Sequence, residues 1–244
     1  IVYWYESHCQ PTIRATTQKG YEEWIYVHAI PALGQIPLNK LTQADCQKFL
    51  NEMKANGRKI HRDTKGPEMS ERSVRSCYHV IRMSLERAIK DGLIKKNPIL
   101  GCKLPPPEQK EMKVLSGEEI QRFLLQAKEE GMYELFLLEL TTGLRRGEIC
   151  GLMWQDFDEA HGTLTVRRTI HAERGGRLTA GETKTGAGKR IITLPPCTAQ
   201  LLSERRKRSY TEWIFPDPLR PERPTRPNAA YVRMKELLKK AGLP

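Results

Sequence analysis

Through the first hundred residues, apolar positions recur at spacings of three and four, the mark of helices with one buried face. Ile1 to His8 reads as part of a first helix, broken at Pro11-Thr12. A second runs through Tyr21, Trp24, Ile25 and His28, spaced i, i+3, i+4 and i+7, and is expected to stop at Pro31. The third starts at Thr42, where Asp45 three residues on makes a capping box. It buries Cys46, Phe49, Leu50 and Met53 and ends at Gly57. A polar, basic loop is expected over 58–68. The fourth is the longest, with Ser70 as N-cap and Val74, Tyr78, Ile81, Leu85 and Ala88 along one stripe. Gly92 closes it, and Asn97-Pro98 prevents continuation.

Gly101 to Lys110 carries three consecutive prolines and no hydrophobic period. It divides the chain into a helical domain 1–104, a linker 105–112 and a second domain 113–244. In the second domain Ser116 and Glu119 form a capping box for a helix burying Ile120, Phe123 and Leu124. Met132 to Thr142 is apolar almost all round, as expected of a helix within a core. The texture then changes: Thr163 to Ile170 and Arg190 to Leu194 are β-branched runs, and Gly175-Gly176 is a turn signal. Helices are predicted from about Thr198 to Arg208 and from Asn228 to Lys240, with an Arg/Pro-rich loop over 216–227 between them. The fold class is mainly α with a small β-hairpin or sheet in the second domain, an α+β chain.

Composition narrows the function classes. No stretch approaches the roughly 20 apolar residues of a membrane span, and no signal peptide is visible, so no membrane partner is expected. The six cysteines stand far apart, with no C-x-x-C pair, and read as free thiols in a reducing cytoplasm. Lys+Arg 41 against Asp+Glu 29 gives a net charge of +12. Splitting after Glu111, the first part has 18 basic and 12 acidic residues and the remainder 23 and 17, so each carries +6. A positive field spread over both domains suits a polyanion, and nucleic acid is the usual one.

The candidate contacts follow the charge. Lys54, Arg58 and Lys59 lie at the end of the third helix and in the loop after it. Arg72, Arg75, Arg82 and Arg87 flank the stripe of the fourth, beside Ser70 and Ser73. Such a face suits either solvent or phosphate, to which arginine offers a two-pronged fork. The segment Thr142-Gly143-Leu144-Arg145-Arg146-Gly147-Glu148-Ile149-Cys150-Gly151-Leu152-x-Trp154-x-Asp156 is more specific. It sets an arginine just after a glycine turn, between core-like sequences, with Glu148 one turn on to hold its fork. A fixed guanidinium there suits a phosphate whose charge grows in a transition state.

On these residues the chain resembles the tyrosine recombinases, the phage-type integrases. The resemblance covers its full length and includes Ile30-Pro31-x-Leu33-Gly34 and Lys96-Asn97-Pro98 in the first domain. It implies a helical, SAM-like core-binding domain before a catalytic domain, closing as a C-shaped clamp on duplex DNA. Arg145 would clamp the scissile phosphate, supported by Glu148. Lys184, within Thr183-Lys184-Thr185-x-x-x-x-Arg190, would be the general acid. Arg58, Lys59, Ser70, Arg72, Arg75, Arg82, Arg146 and Arg190 are the expected DNA contacts. Arginine takes the part that a metal plays in other phosphoryl transfers, so neither metal nor cofactor is expected. The implied activity is site-specific recombination through a 3′-phosphotyrosyl link, integrating or excising a mobile element. The partners would be double-stranded DNA, further copies as a dimer or tetramer, and an excisionase or DNA-bending accessory protein. The setting would be bacterial cytoplasm, at the nucleoid. A non-catalytic DNA-binding protein and a type IB topoisomerase are the alternatives.

The sequence also departs from the family pattern. The family's H-x-x-R box and tyrosine nucleophile come after the last helix predicted here. His79-Val80-Ile81-Arg82 and His171-Ala172-Glu173-Arg174 precede Lys184, in the wrong order, and neither Tyr210 nor Tyr231 follows such a box. Tyr231 is expected to be a core or groove residue in a helix whose apolar face includes Val232, Leu237 and Leu238. The chain is expected to be an internal portion of a longer polypeptide, its catalytic domain truncated before the nucleophile and inactive alone, with a small DNA-binding domain upstream.

Overall fold

The computed structural model describes residues 1–106, 111, 113–172, 176–182 and 189–244. The chain divides into two compact units, Ile1–Glu111 and Met112–Pro244.

The first unit is helical. Helix α1 (Val2–Trp4) runs into a π-helical stretch, Tyr5–Cys9, and a 3₁₀ turn at Gln10–Thr12. Helix α2 (Ala15–Glu22) continues as a π-helix over Glu23–Ala29 and as α3 (Ile30–Leu33). The helix therefore does not stop at Pro31, contrary to the sequence expectation. Ile30 donates to the carbonyl of Ile25, five residues back. That register widens the turn ahead of the proline ring, and Pro31 falls in the first turn of the new α segment, where proline is tolerated.

Helix α4 (Gln43–Asn56) starts on the expected capping box, Thr42 and Asp45 each bonding the other's backbone, and its C-cap is Gly57. The loop after it contains one helical turn, α5 (Arg62–Lys65). The Ser70 hydroxyl accepts from the Ser73 amide to start α6 (Glu71–Lys90), and Gly92 at φ +74° follows its end. Asn97 buries its side chain, donating to the Arg82 carbonyl and accepting from the Ile99 amide. Phe49, Leu50, Val74, Cys77, Ile81 and Ile99 form the centre of this core; Tyr5, Cys9, Ile25 and Val80 form a second cluster.

The second unit begins with the Ser116–Glu119 capping box and α7 (Gly117–Glu129), followed by α8 (Tyr133–Thr142) and the short α9 (Arg146–Ile149). Although α8 is apolar almost all round, only Leu135, Phe136 and Leu138 are buried, and Leu140 is exposed. Strands β1 (Phe157–Asp158), β2 (Thr163–Val166) and β5 (Arg190–Thr193) make an antiparallel sheet in the order β1-β2-β5. Strands β3 (Arg168–Ala172) and β4 (Leu178–Glu182) make a separate hairpin, Arg168 opposite Glu182. The run predicted as one strand from Thr163 to Ile170 is thus two, in different sheets. After α10 (Pro196–Lys207), the expected Arg/Pro-rich loop is itself a hairpin, β6 (Pro216–Asp217) with β7 (Arg220–Pro224), and α11 (Pro227–Lys240) follows. Proline occurs there because a two-stranded ribbon has edges where no donor is needed. The core runs from Phe123 and Phe136 through Ile149, Leu164 and Leu202 to Leu237.

Candidate active site and nucleic-acid interface

Gly143, at φ +62°, ends α8 in the left-handed conformation that glycine adopts without strain. The next residues alternate between core and surface. Leu144 is buried; Arg145 is extended, at φ −68° and ψ 147°, as the N-cap of α9; Ile149 and Cys150 are buried again. Anchored on both sides, the backbone holds Arg145 at a fixed place. Its side chain is nevertheless 78% exposed. Core-like neighbours do not enclose the guanidinium, because the extended N-cap conformation turns it outward.

Glu148 is the centre of the arrangement. Its side chain is 5% exposed, and its carboxylate accepts from the Arg145 amide at 3.0 Å and from the Arg145 guanidinium at 2.9 Å. Arg190, at the start of β5 and opposite Val166 of β2, donates to both oxygens of the same carboxylate, at 2.9 and 3.3 Å. Burial alone would push this acid up; the bonds from Arg190 and Arg145 outweigh it and hold the carboxyl at about 2. A carboxylate so tied keeps its charge and orients two guanidinium groups. One edge of Arg145 is left facing solvent, where a phosphate could be gripped by charge-assisted bonds.

Close packing sets this turn against the β3–β4 hairpin. A side chain on Gly147 would meet Thr169 Oγ1 at 2.5 Å and the Ile170 carbonyl oxygen at 2.8 Å, and one on Gly151 would meet Arg168. Asp156, in the 3₁₀ turn Trp154–Asp156, is fully buried and seals the same junction. It accepts from the Met153 amide at 2.9 Å and bidentately from Arg168 at 2.5 and 3.2 Å, and forms an ion pair with Arg167 at 3.2 Å. Arg168 also donates to the Gly151 carbonyl. Asp156 ends the motif that carries Arg145 and Glu148, but the sequence assigns it no partner. The spacing Leu152-x-Trp154-x-Asp156, an acid within an apolar run, is the signal that could have found this hub.

Lys184 lies outside the described residues. Arg146 is exposed, its guanidinium 5.0 Å from the centre of the Tyr231 ring. Tyr231 is itself 40% exposed and Val232 is exposed, so the buried face of α11 includes Pro227, Ala230 and Leu237, with Met234 and Leu238 partly buried, and not Val232. The next turn of the helix, not the adjacent residue, shares a buried face.

The remaining expected contacts belong to the first unit. Lys59 and Arg72 are exposed. Arg58 closes the loop after α4, its amide bonding the Pro67 carbonyl and its Nε the Glu68 carbonyl. The Ser70 hydroxyl is engaged as an N-cap. Arg75 donates to the Pro105 carbonyl at 2.6 Å, and Arg82 pairs with Glu86 one turn on.

Comparison with known proteins places these features. A model described as the phage integrase N-terminal SAM-like domain matches residues 1–54, and one described as the phage integrase family matches residues 113–244. An integrase of Saccharopolyspora erythraea is 26% identical over 175 residues, which are 71% of this chain and 38% of that protein. A XerC-like tyrosine recombinase of Caldanaerobacter subterraneus subsp. tengcongensis is 31% identical over 157 residues, 59% of this chain and 40% of that one. The chain thus spans about two fifths of the length of these curated relatives. Among solved structures, the Tn1549 transposon integrase in complex with a circular intermediate DNA superposes with a TM-score of 0.81 at 18% identity, over 99% of this chain and 77% of that one. A lambda integrase dimer bound to a core site gives 0.70 at 18% identity, over 100% and 80%. With a family match over more than half of its residues, a stretch that includes the turn carrying Arg145 and Glu148, the chain belongs to the phage integrase family of tyrosine recombinases.

Proposed function

We propose that this chain is the DNA-gripping portion of a site-specific recombinase that cuts and rejoins strands to integrate or excise a mobile element. One observation carries the reading: Glu148 ties Arg145 and Arg190 into a single cationic group whose outer edge faces solvent. In strand cleavage Arg145 and Arg190 neutralise the phosphate as its equatorial oxygens gain charge. A tyrosine oxygen, from a residue other than Tyr210 and Tyr231, gives its proton to water and bonds to phosphorus as the phenolate. The bond to the 5′-oxygen breaks, and Lys184 gives that oxygen its proton. The products are a 3′-phosphotyrosyl link and a 5′-hydroxyl, which religates to a partner strand by the reverse steps. Relatives of this fold described as a dimer or tetramer on DNA support assembly of further copies on paired sites. The same reading places its work at bacterial DNA in the cytoplasm, with an excisionase or DNA-bending protein as a further partner.

The test uses the full-length protein on a nicked duplex whose cut strand cannot religate. A covalent protein–DNA complex is expected, strongly reduced in Arg145→Ala and Lys184→Ala while duplex binding persists. Binding without any covalent complex would instead make this a DNA-binding module. On a supercoiled plasmid, relaxation with each strand rejoined to itself and none exchanged between duplexes would indicate a topoisomerase.

A further inference from the structure

Arg146 directly follows Arg145 but takes a different partner, the ring of Tyr231 on α11. Lys235, one turn along α11, brings its ammonium to 4.8 Å from the centre of the same ring. Two cations on one aromatic ring repel each other. The ring quadrupole attracts each of them but carries no formal charge to cancel the repulsion. Among the described residues no carboxylate oxygen lies within 4.0 Å of either cation. Glu139, half-buried on α8, feels the charge of Arg146 without forming an ion pair with it. Its carboxyl is pushed up by burial and drawn back down by Arg146.

Burial does not hold the arrangement together, since Arg146, Tyr231 and Lys235 are all exposed.

We propose that Arg146, Tyr231 and Lys235 form a second phosphate site, beside the one at Arg145, which grips a DNA backbone phosphate that does not react. This rests on the DNA-recombinase reading above. Arg146 and Lys235 supply the charge. Tyr231 is the positioning residue: its ring holds two long side chains that would otherwise sample many rotamers, so less conformational freedom is lost when the phosphate arrives. An unpaired double cation also draws the backbone in at long range, where neutralised pairs such as Arg82–Glu86 do not.

The experiment is fluorescence anisotropy of a labelled duplex with the 244-residue chain over a salt series, with thermal melting to show that each variant stays folded. Arg146→Ala and Lys235→Ala should each weaken binding and flatten the slope of log affinity against log salt by about 0.9, one phosphate contact apiece. Tyr231→Leu, which leaves net charge unchanged, should weaken binding, and Tyr231→Phe should restore it. If both alanine variants keep the parental affinity and slope, the second site is overturned while the DNA reading stands. If Tyr231→Phe is as weak as Tyr231→Leu, the ring is not the positioning element and the proposal fails in that part. If the parental chain shows no salt-dependent binding, the DNA reading falls and takes the second site with it.

Discussion

Arg190 and Glu148 stand 42 residues apart in the chain, yet the guanidinium of one makes two bonds, 2.9 and 3.3 Å, to the carboxylate of the other. The turn after Gly143 and the first residue of β5 are thereby joined at the side chain that also holds Arg145. The position of Arg145 depends on a strand that comes after the whole β3–β4 hairpin.

Removing that carboxylate should be felt in stability and in chemistry. Glu148→Ala removes an acceptor that two guanidinium groups and one amide share. Because Arg145 and Arg190 can still reach water, the expected cost is about 1–3 kcal/mol rather than that of a stranded buried charge. Urea denaturation measures it, and covalent-complex formation by the full-length protein should fall in parallel.

The same group sets a pH dependence. The Glu148 carboxyl is held at about 2 in the folded chain against an ordinary 4.5. A depressed acid stabilises the fold fully above its unfolded value, and that stabilisation is lost as pH falls from 4.5 towards 2. Urea midpoints should drop more steeply across this window for the parental chain than for Glu148→Gln. Equal slopes would show that the carboxylate is not held this way.

Asp156 should cost more. Its side chain is wholly buried and Arg168 is only 18% exposed, so Asp156→Asn leaves a mostly buried cation without its counter-charge. About 3–5 kcal/mol of destabilisation is expected by thermal or chemical unfolding. Arg168→Met in the Asp156→Asn background should recover part of it, because the stranded charge is then gone.

Gly147 and Gly143 should fail for different reasons. Gly147→Ala drives a methyl group into the Ile170 carbonyl, which is backbone, for roughly 1–3 kcal/mol. Thr169→Ala relieves only the hydroxyl half of the clash. Gly143→Ala meets nothing in space but must hold φ +62°, at about 1–2 kcal/mol. A double variant with Thr169→Ala should therefore rescue Gly147→Ala partly and Gly143→Ala not at all.

Thiol chemistry tests the two cores. Burial pushes the Cys46, Cys77 and Cys150 thiols up to about 12, whereas Cys197 is exposed. A disulfide reagent should modify Cys197 quickly in the native chain and reach those three only on unfolding.

Most of the helices were legible in the sequence, because a helix is written in short-range terms. The capping pairs Thr42–Asp45 and Ser116–Glu119 act within one turn, and the stripe from Val74 to Ala88 repeats within the helix it describes. Arg145 and Glu148 were legible for the same reason, three residues apart on one turn. At Pro31 the local rule misled, since a π-helical register ahead of the ring changes what the proline interrupts.

Acting alone, the sequence determined most of the helical segments, the capping pairs that start two of them and the pairing of Arg145 with Glu148. Each is decided by residues within a few positions of one another or by the charge they carry. Only the tertiary structure decided that Arg190 shares Glu148, that Asp156 anchors Arg168, that residues 163–170 split between two sheets and that Arg146 meets Lys235 across Tyr231. Those relations join segments that are remote in the chain. Their energy comes from burying charge and closing long loops together, and no local pattern in the sequence records it.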